Sequence, residues 1–315
     1  MKTTIKRLFA LTLTICSIFS LAFSVSASDS ADAMNGAMRG DAATVGPAES
    51  LAEQVEKLLP GSSPEQRLRL LEKAAVLGVD SADLPNVTLS KAEQAVLNGS
   101  ASVDKPALAS QKAILTAPAV STRDTTTVAG VAMPDYALWP TIYKQERSDW
   151  CSAATIQTVL KYIGVTSPSQ STIMNYWKSL GYTYPDLPLV RNYLNARLPS
   201  SYVSYVQNIY AGDQTAFNRC IKYDVENYQP TILLMRNTSS YANYQTNLPY
   251  TTNGHFCICS GLLTWEGNQY FIGDPYYFSG YVNGAGTTGE HKKTWTKLNK
   301  VINNRFGSGQ ERIVY

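Results

Sequence analysis

KQERSDWCSAATIQTVLKYIG, residues 144–164, places a cysteine at the head of an amphipathic helix. Ala153, Ile156, Val159, Leu160 and Ile163 fall along one stripe at helical spacing, and Gly164 supplies the stop. Ser148 or Asp149 is expected to cap the start, which puts Cys151 in the first turn. There the partial positive charge of the helix end favours a thiolate. A cysteine in such a place is also an ordinary small apolar core residue unless its surroundings activate it.

A nucleophilic thiol needs a base, and the chain has two histidines. His255 opens the alternating run Gly254-His-Phe-Cys-Ile-Cys-Ser-Gly261, which reads as a strand, with its side chain emerging near the strand's beginning. His291 sits in the charged stretch 289–293 and is expected in a solvated loop. A hairpin starting at His255 returns along 270–273 to Asp274, whose carboxylate then orients the imidazole. Gln145, six residues before the cysteine, supplies a side-chain amide to share an oxyanion with the Cys151 backbone N–H.

Gln145–Ala154 (QERSDWCSAA), Gly254–Gly261 (GHFCICSG) and Gly273-Asp-Pro275, in that order, resemble papain-fold cysteine peptidases of the bacterial C39-like type. The resemblance implies an α+β papain-like fold with N-terminal helices and a C-terminal antiparallel sheet. It also implies Cys151 as nucleophile, His255 as general base and acid, Asp274 as orienting group and Gln145 as oxyanion donor. Ser152 departs from the Gly or Trp of many relatives, and the third member is Asp where papain has Asn.

Outward from this core the chain changes character. Residues 1–27 carry Lys2, Lys6 and Arg7, an uncharged apolar run to Val25, and the small-residue pattern Val25-Ser26-Ala27. That is the form of a secretory signal peptide, with an uncleaved anchor as the alternative. Cys16 lies inside the run without the small residue that precedes a lipidated cysteine. All 20 tyrosines and five tryptophans lie beyond Asp135, and no aromatic residue occurs from 28 to 135. The first region therefore builds at most a small core. Residues 28–130 hold 9 basic and 13 acidic residues, net −4, against 15 and 11, net +4, in 131–315. These balances are too small to imply a nucleic-acid or membrane partner.

Within 28–99 the pattern predicts helices over 48–59, 63–77 and 90–98, the last two opened by capping boxes at Ser63 and Ser90. The segment reads as a helical pro-segment covering the cleft, or as a spacer of nascent helices. Residues 100–133 read as a linker and cleavage zone, and 134–315 as the catalytic domain. Further helices are expected near 171–180 and 187–194, and strands at 231–235, 256–263, 269–272 and 312–315.

Four cysteines remain beyond the signal, Cys151, Cys220, Cys257 and Cys259, mostly as free thiols, because they are too sparse for a disulfide scaffold. A zinc site from Cys220, Cys257 and Cys259 is conceivable, but two cysteines alternating on a strand suit tetrahedral zinc poorly. No metal or cofactor is expected. Tyrosines in 274–281 offer either packing groups or a sugar- or peptide-binding surface. The leading expectation is a secreted or surface-associated cysteine peptidase, a hydrolase made as a zymogen, with peptide or protein substrates and its own pro-segment as partners. The alternatives are an amidase or acyltransferase acting on isopeptide or cell-wall peptide bonds, and a dead binding module on the same scaffold.

Overall fold

In a computed structural model of the protein the described residues are 49–104, 136–199, 202–209, 213–237, 252–263, 269–276, 289–306 and 312–315. The expected signal peptide, most of the linker and the turn at 265–268 lie outside them. The described helices are α1 (Leu51–Leu58), α2 (Pro64–Val76), α3 (Lys91–Leu97), α4 (Cys151–Tyr162), α5 (Gln170–Ser179), α6 (Leu187–Asn195), α7 (Gln214–Glu226) and α8 (Trp295–Phe306). The strands are β1 (Tyr136–Ala137), β2 (Gln207–Ile209), β3 (Thr231–Asn237), β4 (Thr252–Leu263), β5 (Gln269–Gly273), β6 (Glu290–Thr294) and β7 (Arg312–Val314).

Alternation along the strands divides the core in two. Ile232, Leu234, Phe256, Ile258 and Val314 pack on Ile156, Val159 and Leu160 of α4, with Trp177 and Val190 beyond. Their neighbours Leu233, Met235, Cys257, Cys259 and Ile313 pack with Phe217 and Ile221 of α7, Ile302 of α8, and Leu59, Leu70 and Leu71 of the N-terminal helices. A sheet covered on both faces needs apolar residues at consecutive positions, which is why Ile232–Met235 reads as an unbroken run. The sheet order is β2-β7-β3-β4-β5-β6, every pair antiparallel, with β1 on the far end of β4. The α+β architecture, with helices and a C-terminal antiparallel sheet, is that of the expected class.

The N-terminal helices form as their capping boxes dictate. Ser50, Ser63 and Ser90 each accept the backbone N–H of the third helical residue, and Glu53, Gln66 and Glu93 return the bond. They dock on the α7 side of the sheet. Tyr223 Oη donates to the Arg69 carbonyl at 3.0 Å, and Arg191 Nη1 donates to Gln54 Oε1 at 2.7 Å and Glu49 Oε2 at 3.2 Å. Residues 28–48 of the expected pro-segment lie outside the described residues.

Three local expectations are corrected. The N-cap of α4 is Trp150, without a side-chain cap, because the chain turns at 147–150 with Trp150 N–H donating to the Arg147 carbonyl at 3.1 Å. Neither Ser148 nor Asp149 fills that place. His291 belongs to β6, opposite Ile272, rather than to a loop: β5 has an edge to pair, and its backbone recruits a charged segment. Helices α7 and α8 interrupt the strand-rich half, so helices and strands interleave.

Candidate active site

Helix α4 begins at Cys151, which is 1% exposed, and its first N–H groups have no partner within the helix. The helix is fixed against β4 by its own side chains. Thr155, one turn after Cys151, donates its hydroxyl to the Phe256 carbonyl at 3.1 Å, next door to His255. Thr158 Oγ1 accepts the Tyr143 N–H at 3.0 Å and ties down the segment leading to Gln145.

His255 lies on β4 opposite Met235, and Asp274 follows the last residue of β5. Both are fully buried, and the imidazole Nε2 meets Asp274 Oδ1 at 2.7 Å. The same oxygen accepts the Tyr276 N–H at 2.9 Å, while Asp274 N–H donates to the Gly289 carbonyl at 2.7 Å. The ring of Tyr276 meets the imidazole edge-on at 6.0 Å between centroids. Gly273 makes the approach possible. A Cβ there would stand 2.3 Å from Ile142 Cδ1 and 2.8 Å from Ile258 Cγ1, so only glycine lets β5 end flush under Asp274.

Cys151 lies close enough to the imidazole to raise it. Since Nε2 holds the carboxylate, Nδ1 is the nitrogen that faces the sulfur. Burial pulls the imidazolium down, but the charge and hydrogen bond of Asp274, joined by Cys151, outweigh it and push His255 up to about 10. The surroundings thus favour the charged form of the ring. The neighbouring thiols behave oppositely: burial pushes Cys257 well up and Cys259 up to about 12, so both are inert fillers. All four cysteines are unbridged, and no metal-binding group of His, Cys, Asp or Glu occurs among the described residues.

Gln145 is fully buried. Its backbone N–H donates to the Pro275 carbonyl at 3.1 Å, which joins the turn before Cys151 to the turn after Asp274. Both hydrogens of its amide go to the carbonyls of Arg147 and Ser148, each at 2.8 Å. In this state the amide shapes the turn into α4. Donation to an oxyanion requires one of those bonds to be released.

Two contributors escape a reading of the sequence. Gln170, buried at the start of α5, accepts the Glu146 N–H at 2.9 Å and donates to the Lys144 carbonyl at 2.9 Å, gripping Gln145 from both sides. Nothing marks it in sequence, where a glutamine opening a helix reads as surface. Lys293 on β6 is 6% exposed; burial pushes it down to about 8, partly offset by the Asp274 charge. The strand period would have found it only if β6 had been recognised.

A family model described as the Peptidase_C39 like family matches residues 140–303, which takes in Gln145, Cys151, His255 and Asp274. The chain belongs to this C39-like family. Curated proteins give no significant match. For a C39-like chain the arrangement has the parts that acyl transfer requires: a thiol at a helix start, an imidazole against it, and a carboxylate behind. The family supports a cysteine-peptidase-like function.

Proposed function

We propose that this protein is a secreted cysteine peptidase that hydrolyses peptide bonds through Cys151, His255 and Asp274. The observation that supports this most is the buried chain of contacts from Asp274 Oδ1 through the imidazole to the Cys151 thiol, at the N-terminus of α4. Export rests on the basic start, apolar run and cleavage pattern of residues 1–27, which make the chain a precursor.

In this reading the Cys151 sulfur attacks the scissile carbonyl as a thiolate beside the His255 imidazolium. The carbonyl oxygen takes up negative charge against the unpaired N–H groups of the first turn of α4, with Gln145 turning to help. His255 then gives its proton to the leaving amine, and the C–N bond breaks to leave a thioester on Cys151. Water enters, the now neutral imidazole takes its proton, and hydroxide adds to the thioester carbonyl. Collapse releases the carboxylic acid and returns Cys151 as thiolate and His255 as imidazolium. Asp274 holds the ring throughout and favours its charged form.

The test is hydrolysis of denatured protein substrates by the mature chain and by Cys151→Ala and His255→Ala. The first variant should lose all turnover, and the second should lose about 10³-fold or more. Unchanged hydrolysis in both sinks the proposal. Turnover of cell-wall peptides with none of denatured proteins would move it to an amidase. Iodoacetamide at mildly acidic pH supplies an independent readout: Cys151 should label first, and only with His255 present.

A further inference from the structure

The N-terminal helices hold on to the rest of the chain by an unusual contact. Lys73, on α2, is 1% exposed, and its ammonium stands 3.4 Å from Asp224 Oδ1 and 3.4 Å from the Ser204 carbonyl. Three tyrosine rings enclose it, with centroids 4.8 Å away for Tyr315, 5.5 Å for Tyr223 and 5.7 Å for Tyr205. Every one of these partners lies beyond residue 200. Asp224 is fixed in turn by the Thr231 hydroxyl at 2.6 Å. A carboxylate under three aromatic faces is the chemistry that selects a compact ammonium, and here the ammonium arrives on a helix of the same chain.

The position of this socket decides what the segment does. Thr231, which holds Asp224, pairs with Cys259, whereas His255 pairs with Met235. Four residues of strand, roughly 13 Å, separate the two levels. The segment thus grips the opposite end of the β3–β4 pair from the imidazole. It also brings Val55, Leu59, Leu70, Leu71 and Ala74 to full burial in the core shared with α7 and α8. Taking it away would expose that face and strand Asp224 in an empty aromatic pocket, which is costly for a buried carboxylate.

We propose that residues 49–104 are a permanently docked clamp, held by Lys73 in a lysine receptor formed by Tyr205, Tyr223, Tyr315 and Asp224. The segment stays bound whether or not the connecting chain is cut, and its presence leaves Cys151 as reactive as before. This goes beyond the peptidase reading and does not depend on it.

The experiment uses the full chain with a specific protease site inserted between residues 118 and 119. After cutting, the two pieces should co-elute on size exclusion, and Cys151 should label with iodoacetamide at the uncut rate. Lys73→Glu should separate the pieces after cutting and lower Tm in the uncut chain by about 10 °C. Arg191→Ala, which removes the outer contact to Glu49 and Gln54 and leaves the Lys73 socket intact, should lower Tm by about 3 °C and leave the pieces together. Should Lys73→Glu not fold, Lys73→Met serves for the separation. Release of the segment from the cut wild-type chain overturns the clamp. So does a tenfold or greater rise in Cys151 labelling on cutting, which would make the segment an inhibitor. Neither readout needs peptide hydrolysis, so failure here is distinct from failure of the peptidase reading.

Discussion

Two buried carboxylates each hold a base, at opposite ends of the same pair of strands, and they do it differently. Asp274 meets the His255 Nε2 at 2.7 Å in one directed hydrogen bond, and its oxygen is held by the Tyr276 N–H. Asp224 meets Lys73 at 3.4 Å, a looser approach shared with a backbone carbonyl and three rings. In the first pair burial disfavours the imidazolium, yet attraction wins and His255 is pushed up to about 10. In the second burial wins: it pushes Asp224 up to about 6 and Lys73 down, against their mutual attraction. A short, aligned contact keeps its charges and has a thiol on the far side to use them. A loose one, enclosed by aromatic rings and held at its carboxylate by the Thr231 hydroxyl, fastens two parts of the chain.

The largest effect should come from breaking the fastening pair. Lys73→Met leaves Asp224 buried without its cation and should destabilise the protein by about 3–5 kcal/mol. Much of that loss should return in the double variant Lys73→Met/Asp224→Leu, since two apolar residues of fitting size leave no orphaned charge. Equilibrium denaturation of the four proteins forms a cycle. Purely additive losses would mean that the pair does not act as a unit.

The pair proposed to be catalytic should answer in rate and in pH. Asp274→Asn removes the charge that most raises His255, and turnover should fall roughly 10²-fold as the ring loses its orientation. The folded pKa of His255 lies above its ordinary value of 6.5. Its contribution to stability is therefore complete below about pH 6.5 and lost as pH rises through about 10. The alkaline limb of turnover should sit near 10 and move to lower pH in Asp274→Asn, while Asp224→Asn leaves it in place. A limb that does not move when Asp274 changes would separate the carboxylate from the chemistry.

How far these pairs could be read from sequence follows the same division. The meeting of His255 with Asp274 and the place of Cys151 at a helix start were legible because each is tied to a local pattern: the stripe and Gly164 of α4, the alternation after Gly254, the hairpin return to Asp274. The capping boxes and the apolar runs of β3 and β4 were legible for the same reason. Helix α7 carried a usable signal, Asp213 as cap and Phe217, Ile221 and Val225 a turn apart, but polar residues between them obscured it. Strand β6, Glu-His-Lys-Lys-Thr, had none, because its structure comes from the edge of β5 rather than from its own residues. Lys73 and Asp224 are 151 positions apart, and each reads alone as an exposed helical charge. Only the tertiary fold brings them together.

The smallest predicted effect tests how tightly the end that carries Cys151 and His255 must be held. Thr155 lies one helical turn from Cys151, and its hydroxyl bonds the carbonyl of Phe256, the residue after His255. That bond links the two backbones that carry nucleophile and base. Thr155→Val keeps the shape and removes the donor, so stability should fall by only about 1 kcal/mol. The reacting atoms are then less firmly registered, and kcat should fall, by roughly tenfold at most, with KM unchanged. Thr155→Ser restores the hydroxyl without the methyl group. If serine recovers kcat and valine does not, the hydrogen bond sets the distance between sulfur and imidazole. If both lose equally, packing of the methyl group holds α4 in place, and that end tolerates looseness as the fastening end does.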